Sequence, residues 1–243
     1  MRTVPYFQRD DLRVVLKWWD IVILTVIFFG SAIVSSTMAF FSAAPDVGAS
    51  VEDFDSAANY YALAIQSVQL LVGLVYLWLR RFDFRVWKLH PTLKGTVVAV
   101  LLFFFLGVLF DVAYWCVDVL SASVTPGPQG IGAQSVDGFA HVDFSLVVYS
   151  LFNGLYEELF FLGICVMVAP RWRMLAFVFS LVVRFSFHTY QGLVPAVFIG
   201  VIVGAVYFVV FNRSKDKNLY PFVLSHAFAD IFGIGALTFF ASF

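Results

Sequence analysis

Seven apolar runs of about twenty residues each dominate this chain and restrict what it can fold into. They lie at roughly 21–42, 58–79, 96–121, 144–169, 174–190, 193–211 and 220–241. A helix of that length spans the ~30 Å hydrocarbon core of a bilayer. In lipid, every backbone N–H and C=O must find a partner within the protein, which leaves helices or a closed barrel. The alternating pattern of barrel strands is absent. The expected fold is therefore all-α, a polytopic transmembrane helical bundle of about seven spans. Composition agrees, since the 243 residues are 61% hydrophobic and only 13% charged, more apolar than a soluble domain of this size needs.

The basic residues sort between the runs. Arg2, Arg9, Arg13 and Lys17 precede the first; Arg80, Arg81, Arg85, Lys88 and Lys94 lie between the second and third. Arg171 and Arg173 separate the fourth from the fifth, and Arg213, Lys215 and Lys217 the sixth from the seventh. The alternate loops, 43–57, 122–143 and 190–192, carry no Lys or Arg. By the positive-inside rule the N-terminus is expected in the cytoplasm and the C-terminus outside, in a multi-pass protein of the cell membrane. Asp10–Trp19 and Phe82–Leu93 mix charge with Leu, Val and Trp, as interfacial anchors do. The first run is too long for the apolar core of a cleaved signal peptide. The net charge of −1 by itself says nothing of partners; the apolar runs make the lipid bilayer an expected partner, and nucleic acid is not expected. One integral membrane domain is expected, with spans one to three and their interfacial segments in 1–143 and a core of four spans in 144–243. Cys116 and Cys165 sit in apolar runs and read as small packing residues.

Chemistry concentrates in the second half. Glu157 and Glu158 are adjacent in the middle of the fourth run. An ionisable group at bilayer depth costs roughly 2.5–3.5 kcal/mol on insertion scales, so such groups face the bundle and mark sites. Arg184, the one basic residue inside a run, stands four residues before His188 in the fifth; His226 stands four before Asp230 in the seventh. Residues four apart share a helix face. Two neighbouring carboxylates in a low dielectric need a cation to stay ionised. Arg184 is expected to pair with Glu158, leaving Glu157 to act as a base. Counting along the runs places Glu157 and His226 in the cytoplasmic half of the membrane, whereas His188 falls out of line with them. Asp111 and Asp118, seven apart in the third run, read as cavity lining, a proton path or helix bundling. His90 and His141 fall in loops and read as solvated.

Three of these segments carry a family resemblance. Glu157-Glu158-Leu-Phe-Phe-Leu162, Arg184-Phe-Ser-Phe-His188 and His226-Ala-Phe-Ala-Asp230 resemble, in order and spacing, the three motifs of the CAAX-protease and bacteriocin-processing (CPBP, or Abi) intramembrane proteases. The resemblance covers roughly residues 144–243. It departs at two positions: Leu162 stands where the family has arginine, and Arg184 where it has phenylalanine. The swap keeps one arginine available to the glutamate pair. The resemblance implies an endopeptidase in which Glu157 and His188 activate a water, with His226 and Asp230 steadying the oxyanion. The implied substrate is a membrane-associated peptide or protein: a prenylated C-terminus, a leader-bearing peptide such as a bacteriocin precursor, or another membrane protein.

The residues alone leave two mechanisms open. Glu157, His188 and His226 make a possible zinc set, and a metal-free mechanism uses the same groups. Two other function classes also stand. A non-catalytic immunity or scaffold protein is kept open by Leu162, and a proton-coupled transporter or seven-span receptor by the string of intramembrane acids and histidines.

Overall fold

The computed structural model describes residues 16–42, 55–122 and 142–236. Seven helices follow one another: α1 (Trp18–Ser42), α2 (Ser56–Leu79), α3 (Leu93–Ala122), α4 (Phe144–Phe161), α5 (Arg173–Ser186), α6 (Leu193–Arg213) and α7 (Tyr220–Phe232). Among the described residues extended pairing is confined to two isolated bridges, Leu16 with Val168 and Lys88 with Asn218. The all-α expectation holds. Arg2, Arg9, Arg13 and His141, and most of the loops 43–57 and 122–143, lie outside the described residues, as does the part of Asp10–Trp19 before Leu16.

Four helices, α1, α2, α3 and α6, are long and apolar enough to cross a membrane. The other three are shorter than the runs that contain them. α4 stops at Phe161 rather than at 169: the backbone turns through Leu162–Val166, where the Cys165 and Ile164 amides both donate to the Phe160 carbonyl. Gly163 sits in that turn because a Cβ there would lie 2.5 Å from the Leu159 carbonyl. α5 has 14 residues, about 21 Å of helix, and ends at Ser186. His188 therefore lies in a turn beyond α5 and not on its face. α7 ends at Phe232, ahead of Gly233, whose φ of 78° is the left-handed conformation that glycine adopts most easily. Hydropathy marks which residues can live in lipid; it does not mark where a buried backbone turns.

The described residues group into two compact units, drawn from Met1–Glu52, Ala64–Leu89 and Tyr156–Leu219, and from Asp53–Leu63, His90–Leu155 and Tyr220–Phe243. In the first unit, Phe28 of α1 fits over Gly73 of α2, where a Cβ would come 2.2 Å from the ring. Near the start of α1, Asp20 is fully buried; it accepts from the Lys17 amide, the Tyr76 hydroxyl and the Arg80 guanidinium, at 2.6–3.1 Å. The segment after α2 is tied down rather than loose. The Trp87 indole donates to the Gly163 carbonyl at 2.9 Å, and the Leu219 amide to the Lys88 carbonyl at 2.8 Å. α6 contains a π-helical stretch, Phe198–Val203. Such widened turns recur at functional sites. Here the stretch carries Gly200 against the backbone of α5.

In the second unit α3 packs along α7, with Phe103 against Phe228 and Phe232. Gly154 of α4 lets α7 approach closely, since a Cβ there would lie 2.7 Å from the Val223 carbonyl. Asp143 caps α4 by accepting from the Leu146 amide at 2.8 Å, and it also accepts from the hydroxyls of Ser145 and of Ser56 on α2. Asp111 is half-buried and Asp118 exposed on α3; His90 is exposed in a loop. Cys116 is exposed and Cys165 buried.

Two expectations follow. A Cβ at Gly200 would lie 2.5 Å from the Phe185 N and Cα, so Gly200→Ala lowers stability by about 1–3 kcal/mol, read as a lower thermal midpoint in detergent. An unchanged midpoint contradicts the close crossing. Second, the Ser56 hydroxyl, then the Leu146 amide and Ser145 hydroxyl, hold the Asp143 carboxyl below its ordinary value. Its contribution is complete above the ordinary carboxylate value of about 3.9 and is lost as pH falls through the lowered one. Hydrogen-exchange protection at the start of α4, corrected for intrinsic rates, falls over that acid window, and Asp143→Asn removes the pH dependence.

Candidate active site

The last turn of α4 carries Glu157 and Glu158 into the interior of the first unit. Glu158 is fully buried and Glu157 is 5% exposed. A carboxylate in such a place costs several kcal/mol unless it is paired and hydrogen-bonded. The partner comes from α5. Arg184, 2% exposed, sets Nη1 and Nη2 each 3.0 Å from Glu158 Oε1, and Nη2 3.1 Å from Oε2. This is a forked, charge-assisted contact, the strongest kind available to a carboxylate. The same guanidinium stands 3.9 Å from Glu157 Oε2, so Glu157 feels the charge without the fork. Phe161 supplies a ring face 4.1 Å from the guanidinium carbon. Gly204 on α6 lets α5 approach, since a Cβ there would lie 2.7 Å from Leu181 Cδ2. Leu162, one turn beyond Glu158, is also buried. The cation on the glutamate pair thus comes from α5 and not from α4 itself.

His188 follows. Its Nδ1 lies 2.7 Å from the Arg184 carbonyl. A carbonyl only accepts, so Nδ1 carries a ring proton. An imidazole held in this way is a candidate base or metal ligand. Phe187 stacks on Phe29 of α1 at 4.7 Å. Tyr156, immediately before the glutamates, places its hydroxyl 2.5 Å from the Phe28 carbonyl and 2.9 Å from Gln69 Oε1.

The second unit holds the other pair. His226 Nε2 lies 3.6 Å from Asp230 Oδ1, one turn on in α7. The other carboxylate oxygen, Oδ2, accepts from the Asn153 amide at 2.9 Å. Asn153 is absent from the sequence-derived set. The signal was available, because it stands four residues before Glu157 and so on the same face of α4. The structure thus gathers Glu157, Glu158, Arg184 and His188 in one unit and His226, Asp230 and Asn153 in the other.

Residues 140–232 match the model of the Rce1-like family, described as type II CAAX prenyl endopeptidase Rce1-like. That is a match to the CPBP family over the stretch that carries the three motifs. No curated protein and no solved structure matches the chain. The apolar helices and the matched family of membrane proteases together make this a membrane protein.

Removing one partner of a buried pair strands the other charge. Arg184→Leu is expected to cost about 3–5 kcal/mol, and Arg184→Leu with Glu158→Leu less than Arg184→Leu alone. Thermal unfolding of wild type, the two single variants and the double variant in one detergent checks this. A double variant as unstable as the sum of its singles contradicts the pairing.

Proposed function

We propose that the protein is an intramembrane endopeptidase of the CAAX-protease type. The observation that carries this reading is the division of labour in the glutamate pair: Arg184 is forked onto Glu158, while Glu157 stands beside the cation without the fork. In the proposed mechanism Glu157 and His188 take the proton of a water as it attacks the scissile carbonyl. His226, backed by Asp230 and Asn153, donates to the oxyanion that forms. The proton then passes to the leaving amine, and two chain ends result. Glu158 and Arg184 do not touch the substrate in this scheme; they hold the carboxylate pair in place.

The same residue types could serve a divalent cation such as zinc, with Glu157, His188 and His226 as the proposed ligands. Bound there, zinc would supply a water acidic enough to ionise near neutrality. The roles of the side chains in positioning and proton transfer are the same in either case.

The proposed substrate is a membrane-tethered peptide or protein cut in the cytoplasmic half of the bilayer, with the N-terminus of the enzyme on that side. The description of the matched family favours a prenylated C-terminus; leader-bearing peptides and membrane proteins are the other arms of the test.

The test uses purified full-length protein and Glu157→Ala in liposomes, offered prenylated, leader-bearing and transmembrane peptides with and without a chelator. Wild type is expected to cut at least one, and Glu157→Ala to lose about 10²–10⁴-fold in rate. Equal cleavage by both proteins removes Glu157 from the mechanism. Absence of cleavage by folded wild type across the panel favours the non-catalytic scaffold. Loss with chelator and recovery with zinc selects the metal-dependent form.

A further inference from the structure

α2 closes on an arginine where glycine is the easier choice. The Phe82 amide donates to the Leu77 carbonyl and the Arg81 amide to the Trp78 carbonyl, both at 2.9 Å. This pair of bonds is a common close for a helix, and it puts Arg81 in the left-handed conformation, with φ 56°. Such a φ crowds the Cβ of an L-residue, whereas glycine adopts it freely. The turn therefore does not need the side chain, and what the arginine adds lies outside the turn.

That side chain is exposed and lines a cleft of about 310 Å³ together with Trp78 and Leu79. The two nearby arginines are engaged elsewhere: Arg80 with Asp20 at 2.8 Å, and Arg85 with Asp83 at 2.9 Å. Arg81 forms no ion pair with any of the described residues. The cleft thus offers one uncompensated guanidinium beside an indole.

The surroundings of the cleft say what would fill it. Val68, Leu71, Val72, Val75, Trp78 and Leu79 are exposed, and steps of three and four place them on one face of α2. α2 has 24 residues, about 36 Å of helix against a hydrocarbon core of ~30 Å, so the end of that face reaches the headgroup zone. Trp78, 69% exposed, carries the amphipathic ring that settles at this depth and an N–H to donate. An occupant matched to this face has acyl chains for the stripe and a negatively charged oxygen for Arg81. A zwitterionic headgroup brings its own ammonium to its phosphate; an anionic headgroup leaves the phosphate to the guanidinium.

We propose that the Trp78–Arg81 cleft binds the headgroup of an anionic phospholipid of the surrounding bilayer, with the Arg81 guanidinium on the phosphate and the stripe of α2 along the acyl chains. The site does not depend on the peptidase reading.

The test places full-length protein in phosphatidylcholine nanodiscs with a rising share of phosphatidylglycerol and reads the thermal midpoint. A lipid that binds the folded protein raises that midpoint with its concentration. Wild type is expected to show a saturable rise with phosphatidylglycerol and none with inorganic phosphate added to phosphatidylcholine discs. Arg81→Gly keeps the turn, so its midpoint in phosphatidylcholine alone is no lower than that of wild type, while the rise is lost or needs about tenfold more phosphatidylglycerol. Arg81→Asn, uncharged and tolerant of the same φ, shows the same loss even where the glycine variant fails to fold. Arg81→Lys keeps part of the rise. Lys215→Gln, which removes an exposed charge from the loop before α7, keeps all of it. A wild type unmoved by phosphatidylglycerol overturns the proposal, as does a full rise in Arg81→Gly or Arg81→Asn. A loss in Lys215→Gln equal to that in Arg81→Gly overturns the site in favour of diffuse charge, and an equal rise with inorganic phosphate overturns the lipid as its occupant.

Discussion

The buried fork between Arg184 and Glu158 is the constraint on which the first unit turns. Neither charge has water to fall back on, and each left alone would cost several kcal/mol. The fork therefore requires α5 to lie against the last turn of α4 at one height and one rotation. Other features of the unit serve that requirement. Gly200 and the π-helical stretch bring α6 onto the α5 backbone, Gly204 makes room for Leu181 of α5, and Phe161 faces the guanidinium. Because the cation comes from another helix, the glutamates are neutralised only when α4 and α5 have packed. Assembly of the chemistry and assembly of the fold are one event.

The two halves of the chemistry are built by different means. Glu157 and His188 are held by groups distant in sequence, including the Phe28 carbonyl through Tyr156 and the hydroxyl of Ser36 through the Tyr190 amide. Asp230 is held by its own helix neighbour His226 and by Asn153. In the proposed mechanism the first group supplies the base, whose geometry takes several rigid neighbours, and the second the oxyanion donor, whose proton a carboxylate one turn away helps to fix.

What the sequence made legible follows the physics of each signal. The long runs of α1, α2, α3 and α6 read directly as spans, because length and apolarity are what a bilayer tests. The helices that carry the chemistry were misjudged in length. Leu162–Ala169 is apolar enough to continue α4, but its backbone turns beneath Trp87, a partner more than seventy positions earlier. His188 was assigned to a helix for the same reason. Spacing by fours found His226 with Asp230, and the scarcity of intramembrane cations found Arg184 for Glu158. Asn153 was within reach of the same spacing argument and went unused. Ser36, Gln69 and Asp20 were out of reach, since a serine, a glutamine or an aspartate in an apolar run says nothing of a partner that arrives much later in the chain.

Asp20 shows what such a late partner implies for how the chain is made. It leaves the ribosome 60 residues before Arg80, the guanidinium that neutralises it in the finished fold. Until then the ion pair that fixes this carboxylate in the finished fold cannot form, so the clasp between the two helices closes only once α2 is complete. It ties the start of α1 to the end of α2, and its closing waits on the later of the two.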